Sequence, residues 1–170
     1  SPWGRGYPGW HIECSAMAMA YLGETVDIHT GGEDNIFPHH ECEIAQSEGS
    51  TGKPFARTWL HARHLLVDGK KMSKSLGNFF TLRDLLQKGW QPREVRLLLL
   101  SAHYRTKMNF TEKGLAAARE TLASLDTLLA NLEAARGKDN KKVPALIKTT
   151  RTAFEQALDN DLNLPEGLSA

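Results

Sequence analysis

Both cysteines and four of the seven histidines in this 170-residue chain lie between residues 11 and 43. Three donors in that stretch make a metal-like set. His39 and Glu43 are four residues apart, so on a helix they share one face. Cys14 belongs to the preceding helical stretch, with a strand between. Thiolate, imidazole and carboxylate together suit Zn²⁺ better than Mg²⁺ or Ca²⁺, which prefer all-oxygen shells. His40 can replace His39, at a spacing of three from Glu43. Cys42 should point to a different face. The other reading is a buried structural Cys14 beside a surface His–Glu pair. Only three ligands are visible and a closed structural zinc site needs four. Either water completes the set, or a ligand comes from a segment outside these residues.

A second cluster is basic. Lys70-Lys71-Met72-Ser73-Lys74-Ser75 carries three ammonium groups and two hydroxyls in six residues. Lysines on a loop can follow a phosphate through a reaction and offset the charge that develops on a leaving pyrophosphate. The alternative is a solvated turn.

The elements that would position these groups follow from local signals. Residues 11–22 read as a helix, entered from Pro8-Gly9 and stopped by Gly23. Val26 to Thr30 alternates apolar and polar and predicts a strand ended by Gly31-Gly32. Pro38 suits the first turn of a helix to about Ser47, with Gly49 just past its end. This order is the rhythm of an α/β sheet, and His29 falls near the ligand-binding end of its strand. Residues 59–70 predict strand structure with a hairpin turn at Asp68-Gly69, and Lys70 to Asn78 a loop. After residue 80 the pattern is helical. Thr81 caps one helix, Pro92 starts another, and Asn109 or Thr111 caps a long one to Arg136. Leu115, Leu122, Leu125, Leu129 and Leu132 form an apolar stripe on it. A solvated linker, 137–142, precedes a further helix with Ile147, Phe154 and Leu158 on one face. The expected fold is therefore α/β to about residue 80, then α-helical.

Composition excludes several classes. No apolar run approaches the ~20 residues of a membrane span. With 41% hydrophobic residues and a net charge of +1, the chain is not a disordered one. Two cysteines cannot make a disulfide scaffold, so a reducing compartment is expected. The charge is unevenly spread, at −7 over residues 1–52, +10 over 53–119 and −2 over 120–170. A basic middle third suits phosphate or nucleic acid as well as an ordinary solvated surface. The chain opens on Ser1 and stops at a Pro-containing helix start, so both ends read as cut from something longer.

Lys71-Met72-Ser73-Lys74-Ser75 matches the KMSKS signature of class I aminoacyl-tRNA synthetases. Pro8-Gly9-Trp10-His11-Ile12-Glu13-Cys14-Ser15-Ala16-Met17, Asp27-Ile28-His29 and Phe37-Pro38-His39-His40-Glu41 narrow the match. In order and spacing they resemble the cysteinyl-tRNA synthetase family, as do Ser1-Pro2-Trp3-Gly4 and Asp159-Asn160-Asp161-Leu162-Asn163. The resemblance covers essentially the whole chain. It implies the second half of a Rossmann-type class I catalytic domain with zinc site and KMSKS loop over 1–80. A stem-contact-like helical linker over 81–112 and the start of the helical anticodon-side domain over 113–170 would follow.

The resemblance also implies roles. Cys14, His39 and Glu43 fall on zinc ligands, the fourth being a cysteine of the absent N-terminal half. Zinc in the family binds the sulfur of the substrate cysteine. A soft thiolate binds Zn²⁺ where a serine hydroxyl does not, and a hydrophobic pocket alone separates the two poorly. Trp10 and His29 resemble amino-acid pocket residues, and Gly32 and Asp34 the element at the ATP ribose. Lys71 and Lys74, with Ser73, would hold the phosphates of ATP (with Mg²⁺) as pyrophosphate leaves. The partners implied are L-cysteine, ATP, tRNA(Cys) and the missing half of the same enzyme, in the cytoplasm and without a membrane. Arg83, Arg93, Arg96, Arg105 and Lys107 would lie near the acceptor stem, making tRNA binding salt-dependent.

Departures matter too. The family's HIGH motif does not occur in these residues, Thr30 stands where glycine is usual and Cys42 where asparagine is. The chain alone is therefore expected to be inactive. Two other readings are a non-catalytic thiol- or RNA-binding module and a tRNA-independent ligase joining cysteine to an amino sugar. The helical end fits the synthetase better.

Overall fold

A computed structural model describes Pro2, residues 4–137, Asn140 and residues 142–170. Parts of the expected linker (Lys138, Asp139, Lys141) and of the opening run (Ser1, Trp3) lie outside the described residues. The chain divides into two compact units, Ser1–Arg63 and His64–Ala170.

In the first unit, α1 (His11–Leu22) has the limits its sequence predicts and ends at Gly23, whose φ of 95° a side chain would disfavour. Strand β1 (Val26–Gly32) pairs in parallel with β2 (Ala56–Ala62), from Val26 opposite Ala56 to Gly32 opposite Ala62. The expected stop at Gly31-Gly32 is therefore corrected: both glycines remain in the ladder. Their lack of a side chain serves a close approach. A Cβ on Gly31 would lie 2.6 Å from Cε1 of His40, so the imidazole rests on bare backbone.

The crossover between the strands carries α2 (Glu41–Thr51). Pro38 does not open that helix as expected. It sits in a wide turn, Ile36–His40, that leads directly into α2. Phe37 is extended, with φ −133° and ψ 132°, because the ring of a following proline disfavours helical backbone. The helix also passes through Gly49, and its stop is Gly52, left-handed at φ 69° and bonded back to the Glu48 carbonyl. Phe55 and Val26, at 0% and 3% exposure, form the apolar centre of the unit.

The second unit contains β3 (Leu65–Val67), β4 (Lys70–Lys71) and β5 (Met108–Phe110). The turn at Asp68-Gly69 has positive φ at both residues, as a tight hairpin requires. On its other side β3 pairs in parallel with β5, an element missed in the sequence, where Asn109 was weighed as a cap. Three residues are too few to show alternation. The cap of the long helix is Thr111, which accepts from the Gly114 amide.

Thr81 and Asp84 form a capping box on α3 (Leu82–Gln87), and Gln91 and Glu94 one on α4 (Pro92–Leu100). Val67, Leu85, Val95, Leu98, Phe110, Leu115 and Ala118 join these elements to α5 (Glu112–Ala134) in one core. Leu115→Ala, at a fully buried position, is expected to destabilise the protein by about 2–5 kcal/mol. Denaturant unfolding measures this, and a loss below ~1 kcal/mol would contradict the packing.

Farther along α5 the leucine stripe leaves the core. Leu125, Leu129 and Leu132 are 44%, 58% and 63% exposed. Helices α6 (Lys142–Asp159) and α7 (Leu164–Gly167) pack on each other, with Phe154 against Gly167. Between them Asp161 has a φ of 56°. Its carboxylate accepts from Tyr104 Oη and Arg105 Nε, and its carbonyl lies 2.9 Å from His103 Nε2. The bond from Arg105, then that from Tyr104, holds the Asp161 carboxyl below the usual range.

Candidate functional site

The three expected donors converge. Sγ of Cys14, a ring nitrogen of His39 and a carboxylate oxygen of Glu43 lie within 4.8 Å of one another. Helix α1 supplies Cys14, the turn before α2 supplies His39, and the first turn of α2 supplies Glu43. Glu43 is fully buried, and neither of its oxygens has a hydrogen-bond partner. His39 Nε2 is 3.5 Å from Oε1, and His29 Nε2 is 2.9 Å from Oε2 without the alignment of a hydrogen bond. Such a carboxylate is costly to bury unless a cation or proton compensates it.

Burial, and then the neighbouring Glu43, push the Cys14 thiol up. A divalent cation between the two would favour the thiolate instead. Carboxylate oxygens without a hydrogen bond, a thiol and a buried imidazole in reach of one another fit a thiophilic dication. Cys42 is half-buried and joins no donor group among the described residues.

Aromatic rings line this site. The Trp10 indole stacks on His39, with centroids 3.7 Å apart and planes 7° from parallel. Trp10 remains 59% exposed, so its outer face is open to a ligand. His29 stands edge-on to Trp59 at 4.8 Å and to His40 at 5.0 Å. His29, His40 and Glu43 form a second group within 4.8 Å, sharing Glu43 with the first. Burial, then His29, His61 and His39, push His40 down to about 4, so it is neutral at physiological pH. Its Nδ1 lies 2.7 Å from His61 Nε2.

His61 and Trp59 were missed in the sequence. Their spacing of two on one strand was the available signal, since it places both on the same face. Gly32 and Asp34 lie together at the C-terminal end of β1. The Asp34 carboxylate folds over Gly32, where a Cβ would meet Oδ1 at 2.4 Å.

In the second unit, Lys71 ends β4 of the hairpin, and Ser73 and Lys74 follow directly after it. Both lysines are exposed, and Lys74 Nζ lies 5.6 Å from the Phe79 ring centre. Two arginines expected to face RNA are already engaged. Arg93 makes a bidentate pair with Asp126 at 2.8 and 3.0 Å, and Arg105 pairs with Asp161. Part of the basic stretch thus ties α4 to α5 and the loop before β5 to the turn between α6 and α7.

The profile described as "tRNA synthetases class I (C) catalytic domain" matches residues 1–120. The chain belongs to this class I cysteinyl-tRNA synthetase family. Its relatives in the family include the cysteine–tRNA ligase of Chlamydia muridarum, 57% identical over all of this chain and 36% of that protein. The cysteine–tRNA ligase of Symbiobacterium thermophilum is 52% identical over 99% of this chain and 37% of its own length. The chain thus spans little more than a third of these cysteinyl-tRNA synthetases.

Solved structures agree on the fold. A LeuRS of Agrobacterium radiobacter, solved in a ternary complex with tRNA and LeuAMS, matches 85% of this chain and 21% of its own. Its TM-score is 0.67 at 17% identity. A Mycobacterium tuberculosis methionyl-tRNA synthetase with methionyl-adenylate matches 83% of this chain and 31% of its own, with a TM-score of 0.61 at 23% identity. The expected α/β fold with helices following it therefore stands, except that β5 pairs with β3 and carries the sheet past the expected boundary near residue 80. No described helix is long and apolar enough to cross a membrane.

Proposed function

We propose that this chain supplies the metal-binding and KMSKS-loop part of the active site of a cysteine–tRNA ligase. The whole enzyme would activate L-cysteine with ATP and pass it to tRNA(Cys) in the cytoplasm. The observation that carries this reading is Glu43, fully buried and without a hydrogen bond, its oxygens facing only the imidazoles of His29 and His39 and lying within reach of the Cys14 thiol. Those three residues would hold zinc, with a fourth ligand from outside this chain, and the ion would supply a thiophilic position for the substrate sulfur.

The chain's own groups then have separable tasks. Trp10 fixes the His39 ring by stacking, and His29 and Trp10 wall the amino-acid pocket. Gly32 leaves room for the Asp34 carboxylate, which accepts from the ribose hydroxyls. A carboxylate oxygen of cysteine attacks the α-phosphorus of Mg·ATP as the bond from that phosphorus to the bridging oxygen breaks. Lys71 and Lys74, with the Ser73 hydroxyl, bind the departing pyrophosphate and favour the transition state by offsetting its negative charge. A hydroxyl of the tRNA's terminal adenosine then displaces AMP from the cysteinyl carbonyl.

The full-length protein is expected to catalyse cysteine-dependent ATP–pyrophosphate exchange. Stripping its metal with a chelator should reduce exchange ~100-fold or more, and added zinc should restore it. Undiminished exchange by metal-free protein would overturn the reading.

A further inference from the structure

The segment from Lys71 to Asn78 is closed on itself by one side chain. Asn78 Oδ1 accepts from the Ser73 amide at 2.9 Å, and Asn78 Nδ2 donates to the Lys71 carbonyl at 3.1 Å. In an extended strand, the carbonyl of one residue and the amide of the second residue on point the same way. The carboxamide of Asn78 therefore acts as a one-residue strand partner spanning Met72. The pairing also fixes which end of the amide is oxygen, because the reverse orientation would set donor against donor and acceptor against acceptor.

The other anchor is Met72 itself. It is half-buried and lines an apolar cavity of about 530 Å³ with Leu65, Phe80, Leu85 and Val95. Between the anchors the backbone turns tightly. Ser73 Oγ accepts from the Leu76 amide at 3.2 Å, and Gly77, left-handed at φ 66°, bonds back to the Lys74 carbonyl at 3.2 Å. Lys71 and Lys74 project from this braced segment with exposed side chains.

We propose that Asn78 is a positioning residue for adenylate formation, holding the backbone from which Lys71 and Lys74 reach the phosphates. This rests on the reading of those lysines given above. Only a carboxamide of this length accepts and donates at the two facing positions. Lys71 itself stays paired with Leu66 across β3 and β4, so loss of the brace frees the backbone beyond it, at Met72 and Ser73, and misplacing a charged group by about 1 Å costs a rate ~100-fold.

The test is a double-mutant cycle in the full-length enzyme, read by cysteine-dependent ATP–pyrophosphate exchange. Asn78→Ala is expected to lower kcat ~10–100-fold, leaving the KM for cysteine, the zinc content and the melting temperature unchanged. Lys74→Ala should lower kcat by at least as much. Asn78→Ala added to a Lys71→Ala/Lys74→Ala variant should cost little further, because a brace has no work without the groups it positions. Multiplying losses, or full kcat in Asn78→Ala beside an impaired Lys74→Ala, would overturn the role of Asn78 alone. Full kcat in Lys74→Ala would overturn the reading of the loop and this inference with it.

Discussion

Cys14→Ser, His39→Ala and Glu43→Gln, each made in the full-length protein, should cut tightly bound zinc from about one ion per chain to a small fraction of that. The three donors come from α1, the turn before α2 and α2 itself, and each offers one atom to a common point. Removing one leaves two ligands from this chain, and affinity falls by orders of magnitude. Elemental analysis after extensive dialysis measures the loss, and full zinc in all three variants would sink the assignment.

Glu43→Gln carries a second expectation. It preserves volume but removes a buried charge that finds no hydrogen bond. In zinc-free protein it should leave stability unchanged or raise it by about 1–3 kcal/mol. With zinc, the wild type should be the more stable, because the ion binds only the folded state. A side chain that helps only when a ligand is bound is a functional residue, not a packing residue.

The second large effect is expected from the chain by itself. Purified residues 1–170 should show no cysteine-dependent pyrophosphate exchange above background, whereas the full-length enzyme turns over. Among the described residues, the parallel sheet of the first unit has only β1 and β2, and Ile28 on β1 is 65% exposed. Parallel sheets normally have both faces covered and several strands. The chain also spans only 36% of the length of its Chlamydia muridarum relative. A chain that holds only part of a nucleotide-binding sheet would present only part of the groups that bind ATP. Robust exchange by the isolated chain would refute this.

Much of this was legible locally. The limits of α1, the turn at Asp68-Gly69 and the cap at Thr81 each depend on residues within a few positions of one another. The His39–Glu43 spacing was readable for the same reason. What failed needed distant partners. Gly31-Gly32 and Gly49 looked like stops because glycine weakens strands and helices, but Gly31 is needed by His40 and Gly49 is carried through by the helix. The stripe on α5 has helical periodicity along its whole length, yet only its first part meets a partner. Arg93 and Arg105 could be counted as charges but not assigned to Asp126 and Asp161, which lie 33 and 56 residues away.

The sequence by itself determined the chemistry available: a thiol, an imidazole and a carboxylate in one stretch, and a lysine-rich loop in another. Residue type and short-range spacing are enough for that. Only the tertiary structure decided that Cys14 meets His39 and Glu43, that Glu43 is sealed from water without a hydrogen bond, and that Asn78 closes the loop. Burial and convergence come from chain segments that the sequence separates and packing brings together. Packing therefore turned a set of metal-binding residue types into a candidate site.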